Sequence, residues 1–137
     1  MTIAQPSIFT RIINREIPAH IVYEDEYCIC ILDKFPGIHG QSLVIPKQEV
    51  SYVFDLDNET YLHLFAVAKK IAQASDRAFS AERTCLVIEG FEVPHVHIKI
   101  YPMPTTDHNL SRALISSTEA PDETLADIAQ LLRNQLA

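Results

Sequence analysis

Pro94-His95-Val96-His97-Ile98-Lys99-Ile100-Tyr101-Pro102 is the stretch whose reading decides the fold and the chemistry. Residues 93–101 read as a strand, in which side chains alternate between the two faces. Val96, Ile98 and Ile100 then plug into a core. His95, His97, Lys99 and Tyr101 project to the other side as a row of polar groups, roughly 7 Å apart at successive same-face positions. Three readings are open at this point. The row is a solvated strand face, a metal site built on His95 and His97, or a catalytic face on which one imidazole attacks phosphorus. Two histidines are few for zinc, which takes three or four protein ligands.

The rest of the chain supplies the frame for that strand. Residues 7–16 carry Ile8, Phe9, Ile12 and Ile13 at helical spacing, with Ser7 as N-cap and Pro18 closing the segment. Residues 21–23 read as a short strand, 24–26 as a charged turn and 27–33 as an apolar strand. Pro36, Gly37 and Gly40 make 34–41 a loop, and 42–46 is a strand whose edge is marked by Pro46. Residues 55–79 form the longest helical stretch, with Asp57 and Thr60 at its start and an apolar stripe through Leu62, Phe65, Ala66 and Ala72. Residues 84–88 read as a buried strand and 89–94 as a tight connection around Gly90. A polar linker over 116–121 leads to a terminal helix over 122–136, with Leu125, Ile128, Leu131 and Leu132 on one side. The expectation is α+β: an antiparallel sheet with helices packed on one face, plus a C-terminal helix, in a single domain over 1–137.

Composition narrows the function classes. With 137 residues, 47% apolar and 21% charged, the chain has the profile of a globular domain able to bury a core without metals or disulfides. A net charge of −7 argues against a nucleic-acid binder, which needs Lys and Arg for phosphates. It leaves room for a small phosphate ligand in a local pocket. There is no apolar run long enough for a membrane span and no signal-like start, so the expected location is cytoplasmic. Cys28, Cys30 and Cys85 are read as buried reduced thiols.

The histidine segment resembles the motif of the histidine triad (HIT) family, His-φ-His-φ-His-φ-φ with φ apolar, here His95-Val-His97-Ile-Lys99-Ile-Tyr101. The opening IFTRIINREIPAHIVYEDE and the run ILDKFPGIHGQSLVIPK resemble the same family, in the same order. The likeness covers about 8–103, with 116–137 beyond it, and is nearest the Hint-like nucleoside phosphoramidase branch. The resemblance implies a HIT-like fold, a homodimer with joined sheets, a purine nucleotide or nucleotide conjugate as ligand, and no required cofactor or metal. It implies His97 as the nucleophile that becomes nucleotidylated and His95 as its support. It implies Asp33 at the ribose hydroxyls, and Phe9, Ile12 and Ile31 lining the base pocket with Lys34 nearby. The last three apolar residues read equally well as plain core.

The sequence departs from the pattern at several positions. Lys99 replaces the third histidine, Gln41 stands where another histidine is common, and Phe91 and Glu92 stand where phosphate-contacting residues are common. Ile88 occupies an asparagine position, and the loop after it is shorter than in Hint-like chains. Lys99 reads either as an electrostatic holder of phosphate or as a solvated rim charge. Glu92 reads as a proton-handling group or a solvated loop carboxylate. His20, His39, His63 and His108 read as surface or structural, with the loop of His39 closest to the expected pocket. Three function classes follow: a nucleotide phosphoramidate or dinucleoside polyphosphate hydrolase, a nucleotide-binding or sensing protein with weak turnover, and a metal-dependent hydrolase.

Overall fold

A computed structural model describes residues 5–105, 109–115 and 118–137. Residues 1–4, His108 and the first two positions of the expected 116–121 linker lie outside the described residues. Five strands form one sheet: β1 (Ile21–Glu24), β2 (Cys28–Leu32), β3 (Ser42–Pro46), β4 (Arg83–Val87) and β5 (Ile98–Met103). Their order is β1-β2-β3-β5-β4, and every neighbouring pair is antiparallel. β5 is thus inserted between β3 and β4, with Lys99 opposite Leu43 on one side and Val87 on the other.

Alternation divides the apolar residues between the two faces. Cys28, Cys30, Leu32, Val44, Val96, Ile98 and Ile100 enter the larger core. There they meet α2 (Asn58–Phe79) and α4 (Asp122–Leu136), which also pack on each other. Ile29, Ile31, Leu43 and Ile45 point the other way and meet Phe9 and Ile12 of α1 (Ile8–Ile13). Burial on both faces explains why β2 and β3 read as continuous apolar runs. The antiparallel sheet, its helices and the C-terminal helix match the expected α+β class. The two long helices share one face, and the short α1 and α3 (Leu110–Ile115) lie on the other.

The helix ends follow their capping residues. Ser7 Oγ accepts from Thr10 N at 3.0 Å, and Asp57 accepts from Thr60 N at 2.7 Å. α1 stops at Ile13, ahead of Pro18, because Arg15 already turns into the left-handed region at φ 63°. α2 begins at Asn58, and the residues before it form a 3-10 turn, Val53–Asp55.

Pro46 ends β3 as expected and pairs with Cys28 at the end of the ladder, where a missing N–H costs least. Several local expectations need correction, among them the apolar stripe of α2: Leu62 and Ala66 are exposed, and Leu64, Val67, Ala68, Ile71 and Ala74 form the buried side. β4 is a half-exposed edge strand, because nothing pairs with its outer side among the described residues. Residues 93–97 are not strand: Pro94 has no N–H, His95 N bonds Val93 O, and Val96 N bonds Val50 O. Leu131 is exposed, and Ala129 takes its place on the buried side of α4. α3 falls in a stretch where no element was expected.

Leu132 has no exposed surface and ties α4 to the core. Leu132→Ala is expected to cost about 2–5 kcal/mol, the usual range for emptying such a site. A shift of the urea midpoint with unchanged slope is the check; an unchanged midpoint would show that α4 adds little to the fold.

Candidate active site

The site is built where the irregular 93–97 segment enters β5. His97 Nδ1 lies 2.8 Å from the carbonyl two residues back, His95 O. A carbonyl can only accept, so Nδ1 carries the hydrogen and Nε2 is left with the lone pair. The Phe9 ring stands edge-on to this imidazole, with centroids 4.9 Å apart. Burial pushes the His97 pKa below its ordinary value; the bond to His95 O opposes that shift, and the charge of Lys99 adds to it. The ring is therefore neutral at pH 7 and has one nitrogen free to act as nucleophile.

His95 sits behind it with no exposed surface. Its Nε2 donates to Pro46 O at 2.8 Å, so its Nδ1 accepts from Ser7 Oγ at 2.6 Å. Ser7 and Thr10 are both tied to Glu49 Oε1, at 2.7 Å through Ser7 N and 2.6 Å through Thr10 Oγ1. Since Nδ1 is an acceptor here, the 3.9 Å approach of Glu49 to it is no ion pair. Burial keeps His95 below its usual pKa as well. The network pins the start of α1, and with it Phe9, against both histidines.

His97 lines a cavity of about 1360 Å³. Of the residues singled out from the sequence, Phe9, Ile12, Ile31, Asp33, Lys34, Gln41, Glu92, His97 and Lys99 line it, and His95 supports it from behind. Phe9, Ile12 and Ile31 are at once core and cavity wall, because the cavity opens on the α1 face of the sheet. Asp33 Oδ1 accepts from Phe35 N and Oδ2 from Gln41 Nε2, both at 2.8 Å. Gln41 Oε1 in turn accepts from Gly37 N at 2.6 Å, so this side chain braces the loop beneath Asp33. Burial raises the Asp33 pKa; the Phe35 N–H and Lys99 oppose that, and Glu92 reinforces it. Tyr101 also lines the cavity, its phenol pushed up to about 12 by burial and by the carboxylates of Asp33 and Glu89.

Sequence reading missed three parts of this site. Glu89 holds Lys99 at 3.2 Å, a contact created by the connection after β4 and invisible to strand periodicity. Asp122, Glu123, Leu125 and Ala126 bring the start of α4 to the cavity, and Ala113, Leu114 and Ile115 bring α3. His20 lines the cavity and meets Asp122 at 3.2 Å. His39 does not border it; its ring stacks edge-on to Phe79. Three of the four ring nitrogens of His95 and His97 are engaged with carbonyls or a hydroxyl, which leaves only His97 Nε2 of the pair open to a ligand. Among the described residues, the group spaced like metal ligands is elsewhere, at Asp25, Cys28 and His63. Asp25 there already accepts from Tyr23 Oη, His63 Nε2 and two backbone N–H groups, the arrangement of a hairpin cap. Among the described residues no helix is long and apolar enough to cross a membrane.

Comparison with known proteins gives the family. The HIT domain matches residues 14–105. An uncharacterized HIT-like protein of Borreliella burgdorferi is 34% identical over 102 residues, covering 69% of this chain and 73% of the relative. A crystal structure of a HIT-like protein involved in cell-cycle regulation from Bartonella henselae, with unknown ligand, has a TM-score of 0.85 at 29% identity, covering 99% of this chain and 100% of that one. A hypothetical histidine triad nucleotide-binding protein from Sulfolobus tokodaii has a TM-score of 0.83 at 29% identity, covering 93% and 90%. The chain belongs to the histidine triad (HIT) family.

Proposed function

We propose that this chain is a HIT-type nucleotide hydrolase that cleaves a nucleoside phosphoramidate through a nucleotidyl-His97 intermediate, with dinucleoside polyphosphates as the neighbouring substrate class. The observation that carries the reading is the His97–His95 carbonyl bond, which leaves Nε2 unprotonated on a ring that lines the cavity. The nucleotide-binding description of the Sulfolobus relative supports the choice of ligand.

Nε2 attacks the α-phosphorus, and the P–N bond breaks with its electron pair going to the departing nitrogen, which takes a proton from solvent water. Water then attacks the nucleotidyl-imidazole. A new P–O bond forms, the water proton goes to solvent, and Nε2 recovers its lone pair. A purine base lies on Phe9, Ile12 and Ile31, with Lys34 at the rim. Each Asp33 oxygen keeps a lone pair beyond its existing bond, enough to accept the ribose hydroxyls. Gln41 fixes that carboxylate in place of a histidine, and Glu92 stands near the phosphate path. No cofactor or metal enters these steps. The test is a fluorogenic adenosine phosphoramidate: turnover should survive EDTA and vanish in His97→Ala. Binding without turnover would favour the second reading, a nucleotide-binding protein with weak or no activity, for which the pairing of Lys99 with Glu89 speaks. The reducing cytoplasm suits the three free cysteines, two of them buried with raised pKa values.

Lys99 takes the third histidine's place as a charge that holds phosphate. Lys99→Met is then expected to lower kcat/KM by about 100-fold, the scale of losing one donor at a developing oxyanion. Lys99→His should leave it near the wild-type value; a large gain would show that the lysine is a compromise.

The proposal includes a homodimer joined at β4. Its outer edge is unpaired among the described residues, Leu86 is 40% exposed, and Tyr52 and Phe54 stand exposed along the same groove. Light scattering should give a dimer for the wild type and a monomer for Leu86→Glu with Phe54→Glu. A monomeric wild type at micromolar concentration would contradict it.

A further inference from the structure

Lys99 leaves β5 directly opposite Val87, the last residue of β4. Two residues later the chain places Glu89 against it, with Oε2 3.2 Å from Nζ. The lysine side chain is only 17% exposed and the carboxylate 40%, so solvent and salt screen this pair less than a surface pair. A phosphate entering beside His97 therefore meets an ammonium whose charge is already compensated.

Among the described residues the wall adds one further lysine, at its exposed rim. Lys34 meets Glu119 at 3.4 Å, but both side chains are more than half exposed and solvent screens that pair. Asp33, Glu92, Asp122 and Glu123 line the same cavity, the last two from the start of α4. The wall is acidic in balance, although the ligand class proposed above is anionic. Space does not limit what enters, because about 1360 Å³ exceeds the roughly 300–1,000 Å³ of an ordinary small-ligand site. Charge is left to discriminate. A site rejects a competitor by unfavourable juxtaposition as well as by weaker attraction.

Resting on the nucleotide reading above, we infer that Glu89 sets the charge of the phosphate subsite and makes the cavity select a singly charged nucleoside phosphoramidate over a polyphosphate. A phosphoramidate brings a single negative charge, which Lys99 can share between substrate and Glu89. A dinucleoside polyphosphate brings one for each phosphate, and every further charge meets a wall on which Asp33, Glu89, Glu92, Asp122 and Glu123 outnumber Lys34 and Lys99. Glu89 acts here through Lys99, as a positioning residue that fixes where the ammonium sits and how much of its charge the substrate feels.

The experiment uses the full chain in EDTA, so that no divalent ion bridges carboxylate and phosphate. AMP, ADP and ATP are titrated calorimetrically, and kcat/KM is measured for an adenosine phosphoramidate and for diadenosine triphosphate. Wild-type affinity should fall from AMP to ADP to ATP, and the phosphoramidate should be the better substrate. Glu89→Gln should narrow the preference by about tenfold, mainly through KM for the triphosphate, because it removes the charge and keeps the shape. Glu89→Asp, which keeps the charge, should retain the wild-type preference; a purely structural role would make the two variants alike. Binding of ATP as tight as AMP in the wild type, or an unchanged preference in Glu89→Gln, overturns the inference and leaves nucleotide binding standing. Absence of binding by all three nucleotides, with neither substrate turned over, removes both.

Discussion

His97→Ala is expected to cut turnover of an adenosine phosphoramidate by on the order of 10⁴-fold or more, as loss of a nucleophile does in enzymes with a covalent intermediate. The fold should survive, because the imidazole makes one hydrogen bond, to the carbonyl of His95, and stands at the cavity wall. The wild-type pH profile carries the same claim. The neutral ring is the nucleophile, and burial holds its pKa below the ordinary value near 6.5. The rate should therefore rise with pH through a midpoint below 6.5. A midpoint above 6.5, or full activity in the alanine variant, would move the chemistry to another residue.

His95→Ala should produce the largest loss of stability, about 3–5 kcal/mol, from an emptied core site together with polar groups left unpaired. The ring is fully buried, and its removal takes a partner from Pro46 O and from the Ser7 hydroxyl, which keeps its N-cap bond from Thr10 N. Urea denaturation is the measure, and a loss under 1 kcal/mol (about one ordinary hydrogen bond) would mean that water replaces both partners. Linkage gives a second readout. Folded-state pKa values of His95 and His97 lie below the unfolded value, so the unfolded chain binds more protons between the two. Their contribution is complete above about pH 6.5 and is lost as pH falls through the folded values. The variant should lose less stability than the wild type over that acid window.

Much of this was legible in the sequence because periodicity and capping are local. Ser7 and Asp57 mark helix starts that the structure keeps, Asp122–Leu136 is the expected C-terminal helix, and alternation puts Val96, Ile98 and Ile100 in the core. The family resemblance brought His97, Asp33 and the apolar wall together, and they do share one cavity. What could not be read depends on strand order. Inserting β5 between β3 and β4 places Lys99 beside Val87, and hence beside Glu89. The same order leaves β4 at the edge, half-exposed despite an apolar sequence that reads as buried. Pro94 broke the expected strand just where the histidines begin, and the carbonyl this frees is the one that orients His97. Glu49 joins the site only through the packing of α1, which no spacing along the chain reveals.

The most direct test is to stop a single turnover of the adenosine phosphoramidate by rapid transfer into alkaline denaturant and to map the nucleotidyl group by peptide mass. It should be found on the peptide carrying His97, form before the nucleoside monophosphate is released, and disappear in His97→Ala. Full turnover with no nucleotidyl-peptide at any time, or with the group on a different side chain, would contradict the assignment of His97 as the nucleophile.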